Sequence, residues 1–400
     1  MSTNVTMVHL IDPGPAGCSP CGLATCMDVF LGCDDHAEHH FYVLGTERDA
    51  RSISRMGIPV QGNISPPLGR PLLVKRSIQR MLQPAIDSAT DLYLWGWGSH
   101  AGVAISSVRA EAPVNIVIPI PPADPGLVIG LDVAMQRRGA RVVTFESWIR
   151  DTLVRQGLDQ RGITHILPGL DPVRLRGQHN SRAELRRQWD IPEETFIVAL
   201  MGEPITLLDA EDAFSISALS VLAGHDVLVL LPPESSGGTR MESWAGRMGL
   251  QHCVRTEERL RFPWEIVNGI DAALQMSHIN SSEHLEYAGN PLGVLFGGSR
   301  MLHPPANLMP LMWAQMAGLP VIAEDRPGTS GVVDDSVGFM IEPGDRTSGS
   351  AALIKLANDR PESHAMGARA AARARQLYGL QRARSDWKHH LKGSMAGHHP

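Results

Sequence analysis

Three glycine-containing loops that follow apolar runs are the parts of this sequence best suited to ligand binding. The runs are TMVHLI, DLYLW and LPVIA, and each reads as a buried strand. Loops at the carboxyl edge of a parallel sheet converge and form ligand sites in open α/β folds. We therefore predict that the three loops line one cleft. Their candidate residues are Gly14 and Gly17 in the first loop, His100 in the second, and Gly328, Thr329 and Ser330 in the third.

Four cysteines lie close together near the amino terminus and have two interpretations. Cys18 and Cys21 have the spacing of metal or iron–sulfur ligands, and histidines follow. However, a second pair of this spacing is missing, and Cys18 falls in a loop that the fold needs for a ligand. Reduced thiols, some of them packed as small apolar residues in the first loop and helix, are the simpler interpretation of Cys18, Cys21, Cys26 and Cys33. We assign no residue to a metal.

Strands alternate with helices along most of the chain, which predicts an α/β fold with parallel sheets. Two such series are separated by the polar stretch PGLDPVRLRGQHNSR. We predict a first domain over 1–175, a second over 190–375, and a terminal helix with a tail over 376–400. In the second domain a helix ends at Gly318, a strand follows, and a hairpin-like return ends at Pro343–Asp345.

Composition excludes several classes of protein. The net charge of −6 argues against a non-specific nucleic-acid-binding protein, and 43% hydrophobic residues fit globular cores. The first residues lack the pattern of a signal peptide, and prolines interrupt the most apolar window, 114–131. We predict a cytoplasmic protein with at most peripheral membrane contact.

Two segments resemble the GT-B-fold glycosyltransferases, in particular the large fourth family of retaining enzymes. They are ESWIRDTLVRQGLDQRGITHILPGLDPVRL and LMWAQMAGLPVIAEDRPGTSGVVDDSVGFMIEPGD. The resemblance implies two Rossmann-like, doubly wound domains facing a cleft, and a terminal helix that packs on the first domain. It also implies transfer of a sugar from a nucleotide sugar to a glycan, lipid or small-molecule acceptor. The nucleotide sugar is then a co-substrate, and neither a cofactor nor a metal is needed.

The sequence departs from the family at its phosphate-binding and carboxylate positions. Glu203 stands where the family has an Arg, and Leu208 or Asp209 stands where it has a Lys. Pro305 and Trp313 occupy the positions of two family glutamates. Since acidic groups repel a diphosphate, backbone amides around Gly202 and the loop at 328–330 would have to hold it.

The resemblance points to two candidate catalytic residues. His100 lies where several retaining relatives keep a His close to the transferred sugar, and Trp97 beside it could stack on a sugar ring. Glu283 or Glu286, in the long segment 277–307, could replace a missing carboxylate, and Glu286 is our candidate, although an inserted surface loop is the simpler interpretation of this segment. Glu324 is a further possible carboxylate in the cleft. A catalytically silent relative that serves as a binding or scaffold protein is the alternative function.

Overall fold

The chain folds into two compact units, each built on a parallel sheet with helices. The computed structural model describes residues 5–13, 20–33, 37–64, 79–80, 82–97, 101, 104–105, 112–119, 125–176, 181–202, 205–233, 237–276, 307–326 and 328–396. Of these, the first unit contains the residues up to 168 and those from 381 onward, and the second contains the rest.

The described residues of the first unit form a seven-stranded parallel sheet in the order β3-β2-β1-β4-β5-β6-β7. Its strands are β1 (Thr6–Ile11), β2 (Glu38–Val43), β3 (Val60–Asn63), β4 (Asp91–Trp95), β5 (Val114–Ile118), β6 (Arg141–Thr144) and β7 (Ile163–His165). Its helices are α1 (Pro20–Leu31), α2 (Glu47–Ser54), α3 (Pro125–Arg138) and α4 (Ser147–Arg155), and residues 82–87 are also helical.

The two faces of this sheet have different chemistry. One face packs aliphatic side chains such as Val8, Leu94 and Ile116 into a hydrophobic core. The other face carries a row of polar and aromatic residues, because His9 on β1 pairs with Tyr93 on β4, and Tyr93 pairs with Asn115 on β5. All three of these side chains are fully buried. This face therefore contains hydrogen-bonding groups that the aliphatic face lacks.

The last helix, α13 (Leu380–Ala396), packs on this polar face. The ring of Trp387 lies edge-on to Phe30 of α1 at 5.2 Å and 6.2 Å from the ring of Trp95. His390 shares a 3.3 Å hydrogen bond with the Asn115 side chain. The aromatic contacts bury the apolar side of α13 and fix it to the first unit.

The second unit contains, in its described part, six parallel strands in the order β10-β9-β8-β11-β12-β13. These strands are β8 (Phe196–Leu200), β9 (Val227–Leu231), β10 (Val254–Thr256), β11 (Ala272–Gln275), β12 (Val321–Glu324) and β13 (Gly338–Ile341). The helices are α5 (Val173–Arg176), α6 (Arg182–Trp189), α7 (Leu207–Leu222), α8 (Gly238–Met248), α9 (Met309–Met316), α10 (Thr329–Val332), α11 (Arg346–Asn358) and α12 (Arg360–Tyr378).

The hairpin-like return predicted after β12 is wrong. β13 pairs with β12 in parallel, with Ala323 opposite Met340, and the short helix α10 lies in the connection between them. Gly338 allows the close pairing, since a Cβ there would lie 2.1 Å from the carbonyl oxygen of Val321. The sequence suggested a hairpin because the segment between the two strands is short, whereas the connection between parallel strands normally contains a longer helix. Among all the described helices, none is long and apolar enough to cross a membrane.

Candidate functional site

The carboxyl ends of three neighbouring strands form one edge of the second sheet. β11 lies between β8 and β12, with Leu274 opposite Leu200 and Gln275 opposite Ala323. The two loops predicted to bind a donor, at Gly202 and at Gly328, follow the two flanking strands. The topology therefore places both loops at the same edge, on either side of Gln275.

The loop after β8 begins with a backbone conformation that favours glycine. Gly202 has a φ of 135°, and the preceding Met201 N–H donates to the carbonyl of Leu274 at 2.7 Å. α7 then begins after Thr206, whose hydroxyl accepts from the Asp209 N–H while the Asp209 carboxylate accepts from the Thr206 N–H at 2.6 Å. Asp209, one of the acidic departures from the family pattern, therefore serves as half of a helix capping box.

The loop after β12 brings a buried hydroxyl to this edge. Gly328 caps α10 with a φ of 94°, which an L side chain rarely adopts. Thr329 follows and is 1% exposed, and its Oγ1 has no hydrogen-bond partner among the described residues. Ser330 is exposed. A buried hydroxyl without a partner is costly, so this one is available to a ligand.

Glu324, at the end of β12, has a structural role. Its side chain is fully buried, and one carboxylate oxygen accepts from the Gly344 N–H at 2.8 Å. The other oxygen lies 3.5 Å from Nε of Arg326. The carboxylate thus ties the loop after β12 to the turn after β13, while Asp325 points to solvent.

Two residues at this edge were missed by the sequence analysis. Arg326 places a half-buried guanidinium two positions beyond the end of β12. Gln275, 1% exposed, donates to the Met276 carbonyl at 3.2 Å, whereas its Oε1 has no hydrogen-bond partner within the described part of the chain. A polar or basic residue at the end of a buried strand, or within two positions of that end, was the available signal in both cases.

Other predicted site residues divide into those with structural roles and those outside the described residues. Trp313, at a family carboxylate position, is fully buried in α9 with its ring 5.2 Å from Trp264. Trp97 is also core, since it is 1% exposed and its Nε1 donates to the Leu127 carbonyl at 2.8 Å, so the predicted stacking on a sugar is wrong. Gly14, Gly17, His100, Glu203, Glu286 and Pro305 lie outside the described residues.

Residues that flank two of those predicted loops contact each other in the first unit. β1 and β4 are adjacent, and the buried Asp12 directly after β1 accepts from the Ala101 N–H at 3.0 Å. Ala101 follows His100 in the sequence. The ends of the first two glycine-containing loops are therefore joined at the carboxyl edge of the first sheet.

Buried histidines on the polar face of the first sheet are held in the neutral form. Nδ1 of His9 accepts from Trp95 Nε1 at 3.1 Å, so Nε2 carries the proton and donates to His39 Nδ1 at 2.9 Å. Burial, with the neighbouring His39 and His40, lowers the pKa of His9 well below its usual value. Burial and then Arg141 lower the pKa of His390 to about 4. These histidines favour the folded state only while they are uncharged.

A metal centre finds no support in the described part of the chain, where no group of three His, Cys, Asp or Glu side chains is placed to hold an ion. Cys26 and Cys253 are buried, and Cys33 is half-buried. Burial raises the pKa of the Cys253 thiol to about 11. The side chains of Cys18 and Cys21 lie outside the described residues, so the ligand-like pair stays untested.

Comparison with solved structures reveals similar folds over nearly the whole chain. A structure of HepE from Anabaena in complex with UDP and glucose matches with a TM-score of 0.72 at 15% identity, covering 98% of this chain and 100% of that one. A glycosyltransferase from Rickettsia africae matches with a TM-score of 0.71 at 12% identity, covering 98% and 99%. Sucrose-phosphate synthase from Thermosynechococcus elongatus matches with a TM-score of 0.68 at 12% identity, covering 98% and 100%.

No protein-family model and no curated protein matches the sequence. The likeness to known proteins is therefore structural, and at these identities it shows the fold. Two parallel sheets of the Rossmann-like type, together with these neighbours, confirm the predicted α/β fold class. The chain has the GT-B fold, which it shares with these structures.

Proposed function

We propose that this protein transfers a sugar from a nucleotide-sugar donor to a glycan, lipid or small-molecule acceptor. The observation that carries the proposal is the edge of the second sheet, where Gly202, Gln275 and the 328–330 loop follow three adjacent strands. Open α/β sheets bind ligands outside the carboxyl ends of their strands. The similar HepE structure holds UDP and glucose.

Backbone amides and one arginine are the groups best placed to bind the donor diphosphate. Transfer breaks the bond between the sugar and the diphosphate, so negative charge develops on the departing nucleotide and must be stabilised. Gly202 and Gly328 have no side chain to block close approach of a phosphate to the backbone. Arg326 adds a cation at the same edge and offsets part of the repulsion expected from Glu203.

Polar groups with unused hydrogen-bonding capacity can orient the donor. The buried Thr329 hydroxyl can donate to a phosphate or a sugar oxygen, and Gln275 Oε1 can accept from a hydroxyl. His100 and Glu286 remain the proposed catalytic residues, with His100 close to the transferred sugar and Glu286 as the carboxylate. The nucleotide sugar acts as a co-substrate.

A catalytically silent binding protein is the second candidate, and two positions favour it. Trp313 fills a core site where the family has a carboxylate, and Glu324 is committed to Gly344 and Arg326. Neither residue can act on a substrate without disrupting the fold around it. Such a protein would keep the nucleotide site and lack transfer.

Calorimetric titration with UDP, other nucleoside diphosphates and UDP-glucose tests the site, and release of UDP from UDP-glucose tests catalysis. We expect micromolar binding of one nucleotide, weakened about tenfold by Arg326→Gln because one charge-assisted contact is lost. Arg375→Gln, an exposed arginine on α12, is the matched control. Binding without turnover supports the silent protein, and absence of binding across the panel refutes both candidates.

A further inference from the structure

A polar cavity lies at the amino-terminal edge of the second sheet, opposite to the edge that carries Gly202 and Gly328. It has a volume of about 210 Å³ and opens beside a wider depression of about 500 Å³. Its walls are the residue that begins β8, the residues before β11, the turn before β12 and the first turn of α12. The lining residues include Arg182, Asn268, Asp271, Gly318, Arg360 and Ser363.

Three arginines surround one buried carboxylate beside this cavity. Asp271 Oδ1 lies 2.8 Å from Arg182 and 3.0 Å from Arg360, while Oδ2 lies 2.6 Å from Arg186. Oδ2 also accepts from the Ile197 N–H at 2.8 Å. The charged side chains that line the inner cavity are Arg182, Arg360 and Asp271, so arginines outnumber carboxylates there, while Glu193 and Glu194 line the wider depression outside it. Glu193 reduces that excess from the rim, where Nε of Arg182 donates to it at 2.5 Å.

The two arginines that line the cavity are only partly used by the protein. The side chain of Arg182 is 35% exposed, and that of Arg360 is 32% exposed. In the described part of the chain, Arg182 donates to Glu193 and Asp271, and Arg360 donates to Asp271 and, at 2.8 Å, to the Glu194 carbonyl. Each guanidinium has five N–H donors, so each retains donors for a ligand. Arg360 is also fixed by stacking on Phe196, 4.7 Å from the ring centroid.

The remaining walls suit a small polyhydroxy compound better than a planar base. Asn268, the Ser363 hydroxyl and the backbone at Gly318 supply polar groups, and His364 lies at the mouth. The turn at Gly318 packs closely against α12, since a Cβ on Gly367 of that helix would lie 1.9 Å from the Gly318 carbonyl oxygen. This packing holds the turn in place. The inner cavity is smaller than the ~300–1,000 Å³ of drug-sized ligand pockets, so a whole nucleotide sugar does not fit within it.

We propose that this cavity binds a small phosphorylated metabolite of the size of a sugar monophosphate, with its phosphate between Arg182 and Arg360. Two guanidinium groups converging from two elements match the oxygens of a phosphate, which accept bidentate hydrogen bonds. The site lies at the edge of the sheet opposite to Gly202 and Gly328. It is therefore separate from the proposed donor site and does not depend on that proposal.

Calorimetric titration of the full chain with glucose 6-phosphate tests the site. We expect a dissociation constant below 1 mM for the wild type and an affinity at least tenfold lower in Arg182→Gln. His364→Ala, which removes an exposed side chain outside the arginine network, should weaken binding severalfold while the fold remains intact. Arg375→Gln on the same helix as Arg360 should bind like the wild type.

Glu193→Gln provides a test with the opposite sign. It removes the carboxylate that competes for Arg182 and should raise the affinity for glucose 6-phosphate severalfold, a gain that a destabilised variant cannot imitate. Competition with UDP separates the two sites, since UDP should leave the affinity unchanged. Absence of binding, equal affinity in Arg182→Gln and wild type, or displacement by UDP would each overturn the proposal.

Discussion

Acidification should destabilise the first unit before it affects the second, because buried neutral histidines lie on the polar face of its sheet. His390 of α13 is 6% exposed, with Asn115 as its hydrogen-bond partner, and its pKa is lowered to about 4 by burial and then by Arg141. The unfolded chain takes up a proton near the ordinary value of 6.5. Between these two pKa values the unfolded state binds more protons, so stability is complete above pH 6.5 and falls as the pH falls toward 4.

The size of the effect follows from the shift. A lowering of about 2.5 pKa units corresponds to roughly 3 kcal/mol when fully developed, and about 2 kcal/mol of this is lost by pH 5. His9 contributes in the same direction, since burial lowers its pKa as well. Exposed carboxylates titrate mainly below pH 5, so the window from pH 7 to 5 isolates the histidines.

Urea unfolding at pH 7 and pH 5 measures this loss of stability. Hydrogen exchange of the amides in β1 and β5 at the same two pH values then observes the first unit separately. His390→Gln can keep a hydrogen bond to Asn115 and cannot be protonated, so it should remove about 2 kcal/mol of the pH dependence. His364→Gln, an exposed histidine of the second unit, is the control. A wild type equally stable at both pH values, or a His390→Gln variant with unchanged pH dependence, would refute the assigned protonation states.

Three further substitutions test the second unit. Thr329→Val should leave the free energy of unfolding unchanged or raise it by up to about 1 kcal/mol, because the buried Oγ1 has no described partner, while UDP affinity measured by calorimetry should fall severalfold. Equal UDP affinity would exclude this hydroxyl from the site. Glu203→Arg should strengthen UDP binding in the same assay by removing a repulsion and adding a charge-assisted contact; unchanged affinity would place the diphosphate elsewhere. Asp271→Asn should cost roughly 3–5 kcal/mol in urea unfolding, since it leaves Arg186 buried without its carboxylate, and a loss below 1 kcal/mol would show that the network relaxes.

The sequence predicted the central strands of both sheets well. The bounds of β1 and β4 are those of the runs TMVHLI and DLYLW, because a strand buried on both faces is a short continuous apolar segment bounded by turn residues. α2 and β10 were missed because neither contains a long apolar run. α2 is polar, with Ile53 as its buried residue, and β10 has three residues. Elements at the periphery of a sheet thus leave weak signals.

Site chemistry was less predictable because it depends on contacts between distant parts of the chain. Glu324 was a candidate carboxylate of the cleft and Asp209 a departure from the phosphate-binding pattern, yet these two and Asp12 each accept a backbone N–H: Asp12 from Ala101, Asp209 from Thr206 and Glu324 from Gly344. Only Asp209 and its partner Thr206 are close in sequence, where they can be recognised as a capping box. The other two partners become neighbours through the parallel topology. These acidic residues therefore stabilise loops, whereas polar groups with unused hydrogen-bonding capacity, such as Thr329 and Gln275, are the ligand contacts that we propose.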